Sequence, residues 1–245
     1  MKNSLSQITE YRDADGDSFR VIVPGAGPAR SVDLRVALLD QNDRLAGRNR
    51  ADFQSRRILA LNLVSSPGTG KTALLERTLN EFGREVPCAV LVGDLETDRD
   101  AQRLHRDYVP VAQITTGGAC HLDAGMVARG AEALDLDGVR VLFIENVGNL
   151  VCPAAFDLGE AIRVVLLSTT EGEDKPLKYP PIFKSAQVVI VTKADLVGPL
   201  GFDLAAALEN IRLIAPQARV LTVSSRTGQG MAAWYDLLRS ELLSP

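Results

Sequence analysis

Cysteine is scarce in this sequence and its number is odd: Cys88, Cys120 and Cys152 are the three among 245 residues. An odd count argues against the disulfide framework of a small secreted domain. Residues 1–4 lead into polar sequence and not into the apolar stretch of a signal peptide. We therefore expect a cytoplasmic protein whose thiols stay free for packing or for binding a metal.

Long apolar runs and an excess of charge are missing as well. No segment approaches the ~18–20 consecutive apolar residues that a membrane-spanning helix needs, so we expect no membrane partner. The net charge is only −4, so we expect no general affinity for nucleic acid. The composition, 46% hydrophobic, suits a globular chain that buries a large core.

Short apolar runs alternate with helical patterns beyond residue 57. Continuous apolar runs of this length are typical of buried parallel strands. The sequence therefore predicts an α/β fold with a mostly parallel central sheet and helices on both faces, which binds its ligands at the carboxyl ends of the strands. The predicted strands are residues 58–64, 88–93, 111–114, 139–144, 162–167, 186–191 and 218–223, and helical patterns cover residues 38–59, 98–106, 122–134, 202–214 and 231–243.

Residues 1–55 are interpreted as an N-terminal accessory segment and residues 56–245 as the nucleotide-binding domain. The accessory segment contains an extended pattern at residues 19–23, followed by a break rich in proline and glycine. Aspartates around Gly16 are spaced as in a calcium loop, but Pro24 stands where an EF-hand needs glutamate. A solvated acidic turn is the preferred interpretation there.

A glycine-rich turn joins the first apolar run to a helical pattern. Residues 65–72, SSPGTGKT, follow the P-loop pattern G-x-x-x-x-G-K-S/T, with Ser65 in place of the first glycine. Glycines let the backbone approach a polyphosphate, and the helix N-terminus favours its negative charge. Lys71 then reaches the β- and γ-phosphates, and the Thr72 hydroxyl holds Mg²⁺. The predicted phosphate-binding residues are Pro67, Gly68, Thr69, Gly70, Lys71 and Thr72.

Two later strands end in carboxylates. Asp94 follows the apolar run at residues 88–93 and can reach Mg²⁺ or the attacking water, whereas Asp98 and Asp100 fit helix capping equally well. Glu145 ends the run at residues 139–144 and is a second Mg²⁺ ligand, direct or through water. The Gly148 amide, three residues on, can donate to the γ-phosphate.

The strand at residues 186–191 leads into Thr192, Lys193 and Asp195, a variant of the guanine-reading motif N-K-x-D. One carboxylate accepts both N1–H and the exocyclic amine of guanine, a pair of donors that adenine cannot offer. Lys193 lays its stem along the base, and Thr192 in place of asparagine costs one amide hydrogen bond. Ser224 and Ser225 lie in a later strand-end loop that can contact guanine O6. We therefore predict GTP and GDP as ligands.

A thiol and an imidazole, Cys120 and His121, stand side by side before a helical pattern, and Cys152 follows the strand that ends at Glu145. Such donors suit zinc, nickel or copper. On spacing alone a metal site and buried structural thiols are equally supported, because three ligands leave a position unfilled. Cys88 in an apolar run is interpreted as a packing residue and His105 as a surface residue.

Five motifs together resemble the HypB family of nickel-inserting GTPases of NiFe-hydrogenase maturation, which belongs to the SIMIBI class of P-loop proteins. They are residues 63–72 (LVSSPGTGKT), 93–98 (GDLETD), 120–124 (CHLDA), 145–153 (ENVGNLVCP) and 170–180 (TEGEDKPLKYP). The resemblance covers residues 60–230, and serine is the family's own residue at the start of the loop.

The resemblance implies a slow GTPase that forms a homodimer when it binds GTP. It also implies a nickel site, which accepts zinc as well, formed by Cys120, His121 and Cys152 at the dimer interface, with a metal affinity that depends on the nucleotide. Implied partners are a HypA-like nickel chaperone and the hydrogenase large subunit. Many members carry an N-terminal C-x-x-C-G-C site or a histidine-rich stretch; this sequence has no cysteine before Cys88 and two histidines in all, so neither role is expected.

Three alternatives remain open. A urease-type nickel GTPase, UreG, shares the P-loop and guanine motifs but carries Cys-Pro-His where this chain has Cys120 and His121. A P-loop kinase acting on a small metabolite would not need the motif at Thr192–Asp195. A GTP-switched assembly factor would transfer no metal, although Lys71, Asp94 and Glu145 favour Mg²⁺-assisted attack of water on the γ-phosphate.

Overall fold

The computed structural model describes residues 7–12, 18–23, 34–94 and 99–243, with side chains from residue 38 onwards. The chain divides into two compact units, Met1–Ala37 and Leu38–Pro245. In the first unit, strands β1 (Gln7–Arg12) and β2 (Ser18–Val23) pair antiparallel. The extended segment predicted at residues 19–23 lies in β2 and is confirmed, whereas the acidic turn between the strands lies outside the described residues.

The second unit contains a sheet of seven parallel strands in the described part of the chain. Their order across the sheet is β5-β4-β6-β3-β7-β8-β9. Each strand coincides with a predicted apolar run to within a few residues, because both faces of most strands are buried and alternation disappears. The strands are β3 (Leu59–Ser65), β4 (Cys88–Asp94), β5 (Val111–Thr115), β6 (Val141–Glu145), β7 (Ile162–Ser168), β8 (Val188–Thr192) and β9 (Arg219–Thr222).

The sequence pattern predicts five of the α-helices in the described residues, in addition to the helix that follows the P-loop. Three helices of four or five residues were not predicted, because so short a segment shows no helical period. The helices are α1 (Leu34–Ser55), α2 (Lys71–Glu81), α3 (Arg99–Leu104), α4 (Ala124–Glu132), α5 (Lys175–Lys178), α6 (Pro180–Lys184), α7 (Val197–Leu200), α8 (Leu204–Ile214) and α9 (Met231–Leu243).

Hydrophobic clusters cover both faces of the sheet, as predicted for this class of fold. On one face, Leu74 of α2 and Trp234 of α9 pack against Leu63 and other strand residues. On the opposite face, Phe53 of α1 and other helical side chains pack against neighbouring strand positions. A separate cluster contains Ile211 of α8. The helices cover the two faces of the sheet, and the connecting loops lie at the carboxyl ends of its strands.

Helix α1 packs with the sheet from Leu38 onwards, since the second compact unit begins there. The functional division between residues 55 and 56 stays a prediction. None of the helices in the described part of the chain combines the length and the apolar character that crossing a bilayer requires.

Candidate functional site

The turn between β3 and α2 has the geometry of a phosphate-binding loop. Gly68 and Gly70 have φ of 73° and 108°, values that glycine tolerates and other residues rarely adopt. Lys71, the first residue of α2, donates from Nζ to the Ser65 hydroxyl over 3.0 Å. Ser65 is fully buried at the end of β3. The serine that departs from the P-loop pattern therefore holds the lysine in place.

Glu145 is a carboxylate in direct contact with the residue that follows Lys71. It ends β6, which lies beside β3 in the register Leu63↔Glu145. The Thr72 hydroxyl donates to Glu145 Oε1 over 2.7 Å. Burial raises the pKa of Glu145 to about 7, against the opposing influence of the Lys71 charge and the Thr72 hydrogen bond. Glu145 Oε2 is buried without a hydrogen-bond partner among the described residues, so this carboxylate has an oxygen to offer a cation.

Asp94 lies further from the phosphate loop than Glu145, because β6 separates β4 from β3. Its charge still reaches Lys71. Burial lowers the pKa of Lys71, and the carboxylates of Glu145, Asp100, Glu171 and Asp94 oppose that effect. Asp98 lies outside the described residues.

Gly148 lies directly against the phosphate loop. A Cβ atom at this position would lie 3.0 Å from the backbone N and Cα of Pro67. Such a distance is shorter than most side chains tolerate without displacing their neighbours, so only glycine lets the loop after β6 approach this closely. The structure thus places Gly148 beside Pro67 of the phosphate loop. The role of the Gly148 amide as a sensor of the γ-phosphate stays a prediction.

A carboxylate that the sequence analysis assigned no role, Glu171, covers the phosphate loop from the other side. The Thr69 hydroxyl donates to Glu171 Oε1 over 2.5 Å. Lys175 of α5 pairs with Glu171 Oε2 at 2.6 Å. The loop after β7 is therefore tied to the phosphate loop through the Glu171 side chain.

The segment after β8 is also tied to the phosphate loop. The buried Thr192 hydroxyl donates to the Thr69 carbonyl over 2.7 Å. Lys193, in a left-handed conformation with φ of 57°, donates from Nζ to the Gly68 carbonyl over 2.8 Å. The threonine that replaces the usual asparagine thus connects the segment after β8 with the phosphate loop.

Asp195 is oriented by the loop after β9. The Ser224 hydroxyl donates to Asp195 Oδ1 over 2.6 Å. The Ser224 amide donates within its own loop, to the Gln229 carbonyl over 2.9 Å. Arg77 of α2 donates to the Ser225 carbonyl over 3.0 Å. Ser224 therefore acts on Asp195 through its hydroxyl, while a helix that begins at the phosphate loop fixes Ser225.

The predicted metal-ligating residues come together. Cys120 Sγ lies 2.6 Å from Cys152 Sγ and 3.7 Å from His121 Nδ1. One ligand atom from each of these residues lies within 4.8 Å of the others, and within the described ranges this is the group that could hold a metal ion. Burial lowers the pKa of His121, which favours the neutral imidazole that metals bind. The three side chains are half-buried, and thiolates with an imidazole fit a soft or borderline metal.

The three thiols are expected to differ in reactivity. Cys88 is buried in β4, and burial raises its pKa to about 12. We expect Ellman's reagent to modify Cys120 and Cys152 in the folded protein and to modify Cys88 only after denaturation, because the thiolate is the reactive species. Prior loading with zinc should protect the first two. Mass spectrometry of the modified peptides checks this, and rapid modification of Cys88 in the folded protein would contradict it.

A chain of buried polar side chains links the segments around the metal cluster. Asn146 Oδ1 accepts from the Leu122 amide over 3.1 Å, and Asn146 Nδ2 donates to Asn62 Oδ1 over 3.2 Å. Asn62 Nδ2 donates to Glu160 Oε1 over 3.1 Å, and Glu160 pairs with Arg163.

The chain ends beside the cluster. Arg163 donates to the Phe156 carbonyl over 2.8 Å, and the Phe156 ring packs on the His121 ring with centroids 3.9 Å apart. Sequence reasoning missed these residues, although one signal was available: Asn62 is a polar residue between two leucines in the middle of β3.

Comparisons with known proteins agree with this geometry. Residues 59–222 match the family model of the CobW/HypB/UreG nucleotide-binding domain. The hydrogenase maturation factor HypB of Azotobacter chroococcum is 51% identical over 216 residues, which are 88% of this chain and 70% of that protein.

Two crystal structures, each 38% identical, superpose with a TM-score of 0.78. HypB from Archaeoglobus fulgidus is matched over 83% of this chain and 99% of its own. HypB from Helicobacter pylori, in complex with nickel, is matched over 82% of this chain and 95% of its own.

The parallel sheet and the glycine-rich loop between β3 and α2 define a P-loop nucleotide-binding protein. The matches to known proteins identify the family within the P-loop class. This chain belongs to the CobW/HypB/UreG family and, within it, to the hydrogenase maturation factors HypB. The family that the five motifs predicted is confirmed.

Proposed function

We propose that this protein is a GTP-hydrolysing metallochaperone that helps to insert nickel into NiFe-hydrogenase during its maturation. The observation that carries the proposal is the cluster of Cys120, His121 and Cys152 beside the phosphate-binding edge of the sheet. Glu145, at the end of β6, and Cys152 are separated by one short loop. The nickel complex of the Helicobacter pylori relative supports nickel as the cargo.

Hydrolysis is assigned to the residues around the phosphate loop. Thr72, Glu145 and Asp94 would hold Mg²⁺, and the unpartnered Glu145 Oε2 fits a hard cation. When bound, Mg²⁺ neutralises phosphate charge. Lys71 and the loop amides stabilise charge that develops on the γ-phosphate, Asp94 orients the attacking water, and the Gly148 amide distinguishes GTP from GDP.

Guanine recognition is assigned to the segments after β8 and β9. Asp195 accepts from guanine N1–H and the exocyclic amine, with its carboxylate oriented by the Ser224 hydroxyl. Lys193 places its stem along the base, and the loop that contains Ser225 meets guanine O6. Thr192 fixes this segment to the phosphate loop.

A homodimer is proposed as the form that completes the metal site. Three ligands leave one position of a four-coordinate metal open, which a second copy or a transfer partner can fill. Val151, next to Cys152, is 65% exposed and offers apolar surface for such a contact. A HypA-like nickel chaperone as donor, the hydrogenase large subunit as acceptor and a cytoplasmic location stay predictions.

Metal binding by equilibrium dialysis tests the proposal. The purified protein and Cys120→Ala are compared with nickel and with zinc, each with GDP and with a non-hydrolysable GTP analogue, while size-exclusion chromatography records the oligomeric state. We expect metal binding that requires Cys120 and changes with the nucleotide. If neither nucleotide state binds metal, the three residues are structural and a GTP-switched assembly factor is the better description.

A further inference from the structure

The two loops that carry the metal ligands are both held by helix α1. Asn49 is buried in the middle of this helix, and its Nδ2 donates to two carbonyls at once. One is Ala124 O at 2.8 Å and the other is Leu158 O at 3.0 Å. Ala124 begins α4 three residues after His121, and Leu158 follows the short 3₁₀ turn Cys152–Ala155. A single amide group therefore joins the two loops.

A second asparagine on the same helix repeats this connection. Asn42 is also buried; its Oδ1 accepts from the Ala124 amide over 2.9 Å, and its Nδ2 donates to the Asp157 carbonyl over 2.8 Å. Asn42 and Asn49 are seven residues apart, which is about two helical turns and places them on one face of α1. The two side chains thus make four hydrogen bonds to the same pair of backbone segments.

Helix α1 lies in close contact with the loop that follows Cys152. A Cβ atom at Gly159 would lie 2.6 Å from the Ala46 carbonyl, so the loop backbone lies directly on the helix. Arg50 also donates to both carboxylate oxygens of Asp157, over 2.8 and 2.7 Å. A single guanidinium nitrogen, Nη2, serves both oxygens and adds a charge-assisted contact between the helix and the loop.

We propose that Asn42 and Asn49 are positioning residues of the metal site, which set the separation of Cys120 and His121 from Cys152. The inference rests on the proposed function. The ligands come from segments that no short stretch of chain connects, so their spacing depends on what holds the segments together. A preorganised pair of loops binds metal more tightly than a loose one. Helix α1, assigned to the accessory segment by sequence, is then part of the metal centre's scaffold.

The test compares Asn49→Leu with Phe53→Leu. Both residues are buried on α1, but Phe53 packs in the hydrophobic cluster and makes no hydrogen bond to either loop. Nickel affinity is measured by competition with a chromophoric chelator, and the nickel–thiolate charge-transfer absorption is recorded, at a temperature at which unfolding curves show both variants folded. We expect Asn49→Leu to weaken nickel binding about tenfold or more and to alter the absorption, as loss of supporting residues typically does.

Phe53→Leu should keep wild-type nickel affinity, and both variants should keep wild-type affinity for a GTP analogue. Equal weakening of nickel binding in the two variants would overturn the inference, because general loss of stability would then explain it. If Asn49→Leu does not fold, Asn42→Ala removes the parallel pair of bonds and is expected to act in the same direction. Absence of nickel binding in the wild type would instead refute the proposed function.

Discussion

Asp195→Asn is expected to weaken GTP binding about 100-fold or more, since two charge-assisted hydrogen bonds to guanine, each worth about 1.5–3 kcal/mol, are replaced by a clash of donors. The geometry determines how the new amide is placed. The Ser224 hydroxyl donates to Asp195 Oδ1 over 2.6 Å and would donate to the oxygen of the asparagine, which turns the amide NH₂ towards the base. Xanthine carries a carbonyl where guanine carries its exocyclic amine, so xanthosine triphosphate becomes the better ligand.

Fluorescence titration with labelled guanine and xanthine nucleotides measures this change. Ser224→Ala serves as the matched control, because it removes the orienting hydroxyl and leaves the carboxylate. We expect Ser224→Ala to lose only about tenfold in GTP affinity, comparable to one hydrogen bond to a charged group. Unchanged GTP affinity in Asp195→Asn would show that the segment after β8 does not recognise the base. A P-loop kinase acting on a small metabolite would then be the better description.

Lys71→Met is expected to reduce the rate of GTP hydrolysis about 100-fold or more, the loss typical of removing one group that stabilises transition-state charge. The lysine is buried and donates to Ser65, so its ammonium is already in place before nucleotide binds. Methionine keeps the volume of the side chain and removes the charge. Single-turnover phosphate release, with the nucleotide concentration well above the dissociation constant, separates hydrolysis from binding.

The control for Lys71→Met is its own stability without nucleotide. Burial lowers the pKa of Lys71, which means that the folded protein holds its charge at a cost. Thermal unfolding of Lys71→Met should therefore occur no lower than that of the wild type. A near-wild-type hydrolysis rate in a well-folded Lys71→Met would exclude the assigned role, and a marked loss of thermal stability would contradict the cost of burying the charge.

The strands and the edge of the sheet that carries the site were predictable from the sequence, because buried parallel strands and glycine-rich turns have strong local signatures. Lys71 follows a glycine that adopts a left-handed conformation, and Glu145 ends an apolar strand. The glycine before Lys71 and the apolar run before Glu145 can both be recognised from a few neighbouring residues in the sequence. The sequence alone did not show that Cys120 meets Cys152, since their contact depends on two loops that only the folded sheet brings together.

The polar residues that support the site were not predictable for the same reason. Asn146, Glu160 and Arg163 act through partners far along the chain, and no local pattern names those partners. Asn42 and Asn49 share a helical face, but α1 is mostly polar and exposed, so two more polar residues did not stand out. The partners in hydrogen bonds of this kind are far apart in the sequence and become neighbours only in the folded protein.

Helix α2 reaches both ends of the expected nucleotide. Its first residue, Lys71, belongs to the phosphate loop, and Arg77, six residues later, donates to the carbonyls of Ser225 and Arg226 in the loop after β9. A rise of 1.5 Å per residue places these two residues about 9 Å apart along a rigid rod. The helix is therefore a fixed spacer between the phosphate loop and the loop after β9, and a tilt of α2 would move both loops together.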